Sequence, residues 1–325
     1  MRKARNPPVE RDAASPRLKQ VTRDSWKETP LRIGISGWTY PPWRGVFYPK
    51  GLAHRLELHF ASRQHNSIEI NGSFYSLQRP SSYQHWHAET PAGFLFSVKG
   101  ARFISHMKKL RDVETPLANF FGSGVLALRE KLGPILWQFP PNFGWNEERF
   151  RSFFELLPRD TSEAAELSRR HDAKLKHGAW TRTDAARPLR YAVEIRHPTF
   201  LVPEFFALLR EYNIAFVFAD TAGKWPYAED LTADFIYIRL HGAKQLYVSG
   251  YTDEELEWWA SRIRLWRRGK QPTDARLSGD AKARPGRRDI YVYFDNDAKV
   301  HAPFNAKRLA ALLKAPRLVC HDEAA

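Results

Sequence analysis

The chain has 325 residues, 43% of them hydrophobic and 14% aromatic, which suffices for one large packed domain. No run approaches the roughly 18 apolar residues that span a bilayer, and the single cysteine, Cys320, excludes an internal disulfide or a cysteine-built metal site. The formal net charge of +15 invites a nucleic-acid partner, but it is unevenly placed. Residues 1–30 hold eight basic and four acidic side chains, 159–188 seven and five, and 262–288 ten and two, leaving the rest almost neutral.

Residues 1–30 are polar, unpatterned and proline-containing, and are expected to be a disordered basic tail. They lack an apolar h-region and carry Glu10, Asp12, Asp24 and Glu28, so neither a secretory signal nor a transit peptide is expected, and the cytoplasm is the expected location. An alternating strand is predicted at 31–38, then a helix over 52–65, a strand at 67–75 and a helix over 80–89. Strands follow at 94–100 and 133–140, separated by a helix at 117–132, with another helix at 147–157. Past the charged, weakly periodic insertion at 159–188 come strands at 190–197, 214–220, 235–241 and 289–296. Helices are predicted at 203–212, 253–267 and 302–314, and the basic insertion 262–288 precedes the last strand.

Eight strands alternating with helices predict a single (β/α)8 TIM-type barrel over 31–315, with a C-terminal tail at 316–325. Side chains alternate across a strand, so one parity of each must face the lumen. The polar parity groups Gly34, Ser36 and Trp38; Ser67, Glu69, Asn71 and Ser73; Ser97 and Lys99; Gln138; Glu194 and Arg196; Asp220; and Tyr237, Arg239 and His241. Asp295 and Asn296 end the eighth strand with their facing unassigned. Singly, each has an ordinary structural explanation. Together they converge on the C-terminal mouth, where barrel enzymes place their sites, and burying so many charges without a ligand requires extensive pairing.

Lys99, Arg196 and Arg239 favour an anionic ligand such as a phosphate or carboxylate. Glu69, Glu194 and Asp220 are candidate bases and His241 a candidate acid or base. Trp38, Asn71, Tyr75, Gln138 and Asn296 complete the expected substrate-binding set. No cofactor is predicted; a divalent metal would need the carboxylates and His241, and the neighbouring cations oppose it. No nucleophile elbow, Walker loop or dinucleotide fingerprint is present. The reading is an enzyme using acid/base chemistry on a small anionic or phosphorylated substrate. Its rivals are a metal-dependent nucleic-acid phosphodiesterase and a non-catalytic binding barrel whose arms 1–30 and 262–288 make weak, nonspecific nucleic-acid contact. No membrane partner is expected.

Several ordered motifs also resemble the YecE-like family, domain of unknown function seventy-two. They include Gly34-Ile-Ser-Gly-Trp38, Phe47-Tyr48-Pro49, Glu69-Ile-Asn71, Phe96-Ser-Val-Lys99, Gln138-Phe-Pro-Pro141, Glu194-Ile-Arg-His197, Tyr237-Ile-Arg-Leu-His-Gly242 and Tyr293-Phe-Asp-Asn-Asp297. The resemblance covers 31–315 apart from the two insertions and implies a TIM-type barrel with these residues at its mouth, without implying an activity. One departure is Asp295, where the family commonly has asparagine.

Overall fold

The computed structural model describes residues 31–279 and 286–316; the expectations for 1–30 and most of the C-terminal tail lie outside these residues. Eight parallel strands close into a barrel in sequence order. They are β1 (Leu31–Ser36), β2 (Ser67–Ile70), β3 (Leu95–Lys99), β4 (Leu132–Gln138), β5 (Tyr191–Glu194), β6 (Ala215–Asp220), β7 (Phe235–Leu240) and β8 (Asp289–Phe294). Gly34 permits the closure between β1 and β2: a Cβ there would meet the Ser67 carbonyl oxygen at 1.7 Å.

The helices are α1 (Glu57–Gln64), α2 (Gly72–Tyr75), α3 (Pro80–Glu89), α4 (Glu114–Gly122), α5 (Glu147–Leu156), α6 (Thr161–Ser168), α7 (Pro203–Glu211), α8 (Asp253–Arg267) and α9 (His301–Leu312). Their starts follow local chemistry. Proline occupies the first turn of α3 and α7, where a missing N–H costs nothing. Asn146 and Asp160 accept backbone N–H bonds at the starts of α5 and α6, and Thr252 with Glu255 forms a reciprocal capping box on α8.

Several boundaries differ from the sequence reading. Strand β2 ends at Ile70, because Asn71 turns into the short helix α2 and the Ser73 hydroxyl bonds the carbonyls of Ile70 and Lys99. The helix expected over 117–132 is two pieces, α4 and a 3-10 segment over Val125–Lys131 broken by Arg129 at φ 51°. The insertion at 159–188 contains α6, which packs on α4. Part of the basic stretch 262–288 belongs to α8 itself: Arg262 is buried and bonds Glu229 and Asp274.

The outward parity of the strands and the inner helix faces form the larger core, with Ile35, Ile68, Phe96, Val193, Phe216, Ile238 and Val292 all buried. Inside the barrel lies a smaller core of Leu95, Leu136, Ala192, Val217, Ala219, Phe235, Tyr237, Tyr291 and Tyr293. That inner layer fills the lower lumen. Charged groups occupy the layer above it.

Candidate functional site

Arg239, on β7, sits at the centre of the upper lumen and is fully buried. Its register neighbours are Ala219 on β6 and Tyr293 on β8, which fixes the lumen parity of all three strands. The guanidinium grips Glu69 side-on, with Nε 3.2 Å from Oε2 and Nη2 2.8 Å from Oε1. Nη1 donates to Glu194 Oε2 at 2.7 Å and Nη2 to Asp295 Oδ2 at 2.9 Å. A planar fork of five N–H donors is the side chain suited to serve three carboxylates at once.

Glu69 is saturated. Besides Arg239 it accepts from the Ser36 hydroxyl at 2.5 Å and the Tyr237 hydroxyl at 2.5 Å. Glu194 accepts from Arg196 Nε at 3.2 Å through its other oxygen. Burial alone would raise the Glu194 carboxyl, but Arg239, then Arg196, hold it far below the usual carboxylate range. Asp295 follows the same pattern: burial opposes ionisation, Arg239 and His241 overcome it, and its value drops to about 2. His241 Nε2 lies 3.3 Å from Arg239 Nη1, and arginine can only donate, so this nitrogen accepts. His241 Nδ1 approaches Asp295 Oδ2 at 3.0 Å, but too poorly aligned for a hydrogen bond.

Above this ring opens a cavity of about 750 Å³. Asn71, Tyr75, Lys99, Gln138 and Arg196 line it, as do Tyr40, Phe74, Arg102, His106, Tyr247, Asp295 and Asp297. Arg196 lies 3.6 Å over the Trp225 ring and donates to the Tyr247 hydroxyl at 3.1 Å. Tyr247 is held in the left-handed region at φ 63°, a conformation that costs energy for a non-glycine residue.

Lys99 differs from Arg239 and Arg196. It is 8% exposed, stands 4.4 Å over the Phe74 ring, and has no hydrogen-bond or ion-pair partner among the described residues. Burial, then Arg239, lower it to about 8, against the pull of Glu69, Asp295 and Glu194. Asp297 moves the other way: burial and then the charge of Asp295 push its carboxyl up to about 6. Burial, then Arg196 and Lys99, lower His106 to about 4. Two cavity amides have an oxygen that is enclosed and unpartnered, Asn71 Oδ1 and Gln138 Oε1.

Three expected mouth residues are elsewhere. Asp220 is paired in register with Leu240 and so belongs to the outward parity; its carboxylate accepts from the Tyr251 hydroxyl at 3.0 Å and from the Ala222 N–H at 3.3 Å. Asn296 shares the parity of Phe294 and donates to the Ser249 carbonyl and Asn305 Oδ1, both at 3.0 Å, tying the last loop to α9. Trp38 packs edge-on against Trp86 of α3 at 5.3 Å and lies 6.3 Å from Phe96, behind the sheet. Glu69, Glu194, Arg239 and His241 are brought together, but beneath the cavity rather than on its wall. Side-chain alternation does not reach Tyr40, Tyr247, Trp225 or Asp297, all of which lie on loops that follow strands, although Asp297 ends one of the family motifs. For Asp295 a signal was present: Tyr291 and Tyr293 fill the lumen, and a period of two carries that face to residue 295.

The donor set does not suit a metal ion. Both oxygens of Glu69 and both of Glu194 already face arginine, Asp220 points away, and no group of three or more His, Cys, Asp or Glu among the described residues is arranged to hold one. No helix among the described residues is long and apolar enough to cross a membrane.

The molecule is thus a closed (β/α)8 barrel whose C-terminal mouth holds a buried arginine–carboxylate ring beneath an open, polar cavity. The chain belongs to the family described as "Protein of unknown function DUF72", whose model matches residues 32–324. It is 25% identical over 171 residues to the UPF0759 protein YecE of Escherichia coli (strain K12), a match spanning 52% of this chain and 50% of that protein. It is 27% identical over 123 residues to the UPF0759 protein YunF of Bacillus subtilis (strain 168), over 36% of this chain and 43% of that one. The chain thus matches about half the length of these curated relatives or less. Among solved structures, a DUF72 family protein from Thermotoga maritima MSB8 superposes with a TM-score of 0.65 at 24% identity, covering 88% of this chain and 99% of that one. Another, from Enterococcus faecalis V583, gives 0.60 at 16%, covering 87% and 95%. These likenesses show the shared fold.

Proposed function

We propose that the protein is an enzyme that binds a small anionic or phosphorylated substrate over Lys99 and Arg196 and acts on it by acid/base chemistry. The observation that carries this reading is Lys99: a nearly buried ammonium, without a hydrogen-bonding partner, on the wall of an open cavity. An isolated buried charge is costly, and an entering phosphate or carboxylate would supply the counter-charge. Asn71 and Gln138 offer further polar contacts on the same wall.

The acid/base roles would then fall on Asp295 and Asp297 rather than on Glu69, Glu194, Asp220 and His241. Glu69 and Glu194 are fully enclosed and engaged, whereas Asp295 and Asp297 both reach the cavity. Their environments push them apart, Asp295 down to about 2 and Asp297 up to about 6. Two neighbouring carboxyls separated in this way allow one to stay ionised while the other exchanges a proton near neutral pH. The reaction would be an isomerisation, a lyase step or a hydrolysis.

The test is a panel of sugar phosphates and small carboxylates screened by thermal shift and turnover against wild type, Lys99→Met and Asp297→Asn. Ligands that stabilise wild type should lose that effect in Lys99→Met, while Asp297→Asn should still bind but not turn over. Equal ligand binding by wild type and Lys99→Met would remove the reading.

A further inference from the structure

The other end of the barrel carries a second charged feature. Three concavities of about 480, 510 and 430 Å³ lie around the N-terminal face. They include Asn66, Asn213 and Asp234, which lead into β2, β6 and β7. They are contiguous, since Arg287 lines the first and third and Lys314 the second and third. The third is bounded by Arg264, Arg267, Arg268, Arg287 and Lys314 with no acidic side chain.

Arg264 pairs with Glu257 at 2.5 Å and donates to the Leu312 carbonyl at 3.0 Å, but the other four cations are not balanced locally. The side chains of Arg267, Arg268, Arg287 and Lys314 have no hydrogen bond or ion pair among the described residues, and Arg267 Nε is enclosed without a partner. Some exposed arginines elsewhere pair, Arg151 with Glu211, Arg169 with Glu166, Arg170 with Glu114 and Arg308 with Asp253, whereas Arg55, Arg79, Arg111 and Arg129 do not.

We propose that the N-terminal face of the barrel binds the phosphodiester backbone of a nucleic-acid duplex, independently of the mouth. A row of unpaired guanidinium groups in shallow concavities suits phosphates spaced along a strand. No Phe, Tyr or Trp lines any of the three concavities, so the stacking platform that single strands use is absent and backbone contact is what the surface offers. Aromatic anchors would also be wanted by a membrane surface, which makes an anionic lipid bilayer the poorer match.

The experiment measures binding of the full chain to a short mixed-sequence DNA duplex by fluorescence anisotropy, across a salt series starting at about 50 mM. Comparison is made with the quadruple variant Arg267→Gln, Arg268→Gln, Arg287→Gln, Lys314→Gln. Wild type should bind with a steep salt dependence. Losing four phosphate contacts should weaken binding about tenfold or more at low salt and flatten the log–log slope by roughly 3–4. If the quadruple variant does not fold, the triple variant that keeps the partly enclosed Arg267 decides, with a slope change of roughly 2–3. Lys99→Met should bind the duplex as wild type does. The proposal is overturned by absence of duplex binding at low salt, by an unchanged slope in the variants, by tighter binding to a single strand than to the duplex, or by binding confined to phosphatidylserine vesicles.

Discussion

Replacing Lys99 by Met separates the needs of the site from those of the fold. The ammonium is 8% exposed, and its value falls from a lysine's ordinary 10.5 to about 8, because burial and then Arg239 outweigh the surrounding carboxylates. A drop of that size corresponds to a destabilisation of about 3 kcal/mol at neutral pH, as an order of magnitude. Met fills similar volume, adds no unsatisfied group and packs well against Phe74. The variant should therefore be more stable than wild type at pH 7, by up to about 3 kcal/mol in urea unfolding. The sign of the pH dependence is fixed. Between about 8 and 10.5 the unfolded lysine binds more protons than the folded one, so wild-type stability should rise relative to the variant across that interval. The gap between the two proteins should be full below 8 and closed above 10.5. Unfolding curves at pH 7, 9 and 10.5, differenced between the two proteins to cancel the titration of other groups, provide the assay. A variant less stable than wild type at pH 7, or a gap that does not narrow with rising pH, would refute the claim that burial of Lys99 outweighs the pull of the surrounding carboxylates.

Asp295→Asn removes the charge that helps push Asp297 up to about 6, so the carboxyl of Asp297, followed by carbon NMR, should titrate at lower pH. The same change should cost up to about 2 kcal/mol near neutral pH, with the loss disappearing as pH falls from 3.8 through about 2, where the wild-type carboxylate is itself protonated. Arg239→Leu strands three buried carboxylates and should cost about 3–5 kcal/mol or prevent folding. Arg239→Lys should rescue only part of that, because a single ammonium cannot reproduce the fork; a lysine variant as stable as wild type in urea would contradict the geometry. Gly34→Ala places a methyl 1.7 Å from the Ser67 carbonyl oxygen, so β1 must separate from β2, and far-UV circular dichroism should show loss of the fold or a large drop in Tm.

Much of the barrel was legible because its two parities differ in kind. The outward side chains are Ile, Val and Phe, and the inward ones on β2, β5 and β7 end in Glu69, Glu194 and Arg239, so the period of two exposed both faces at once. Asp220 misled because a lone polar residue was allowed to choose the face of β6. Ala215, Val217 and Ala219 all face the lumen, and the small size of the alanines is the signal that a crowded interior leaves. Asn296 misled for the opposite reason, being a polar residue whose partners, Ser249 and Asn305, come from segments distant in sequence. Trp38 lies past the end of β1, where alternation no longer applies. A loop residue such as Tyr247 carries no periodicity, so only the folded structure shows it over the cavity.

The pair of residues 194 and 196 is not a sufficient ion pair by itself, because Glu194 is held chiefly by Arg239 and Arg196 is shared with Tyr247 and Trp225. At the mouth Glu69, Glu194 and Asp295 face Arg239 and Arg196, while Lys99 and Arg102 also line the cavity. Asp297 is reluctant to ionise because of its burial first and the charge of Asp295 second. An anion seated on Lys99 would add negative charge beside it and raise its affinity for a proton further. Binding should then draw a proton onto Asp297 rather than release one, and that proton, facing the cavity, is the one an acid-catalysed step would use.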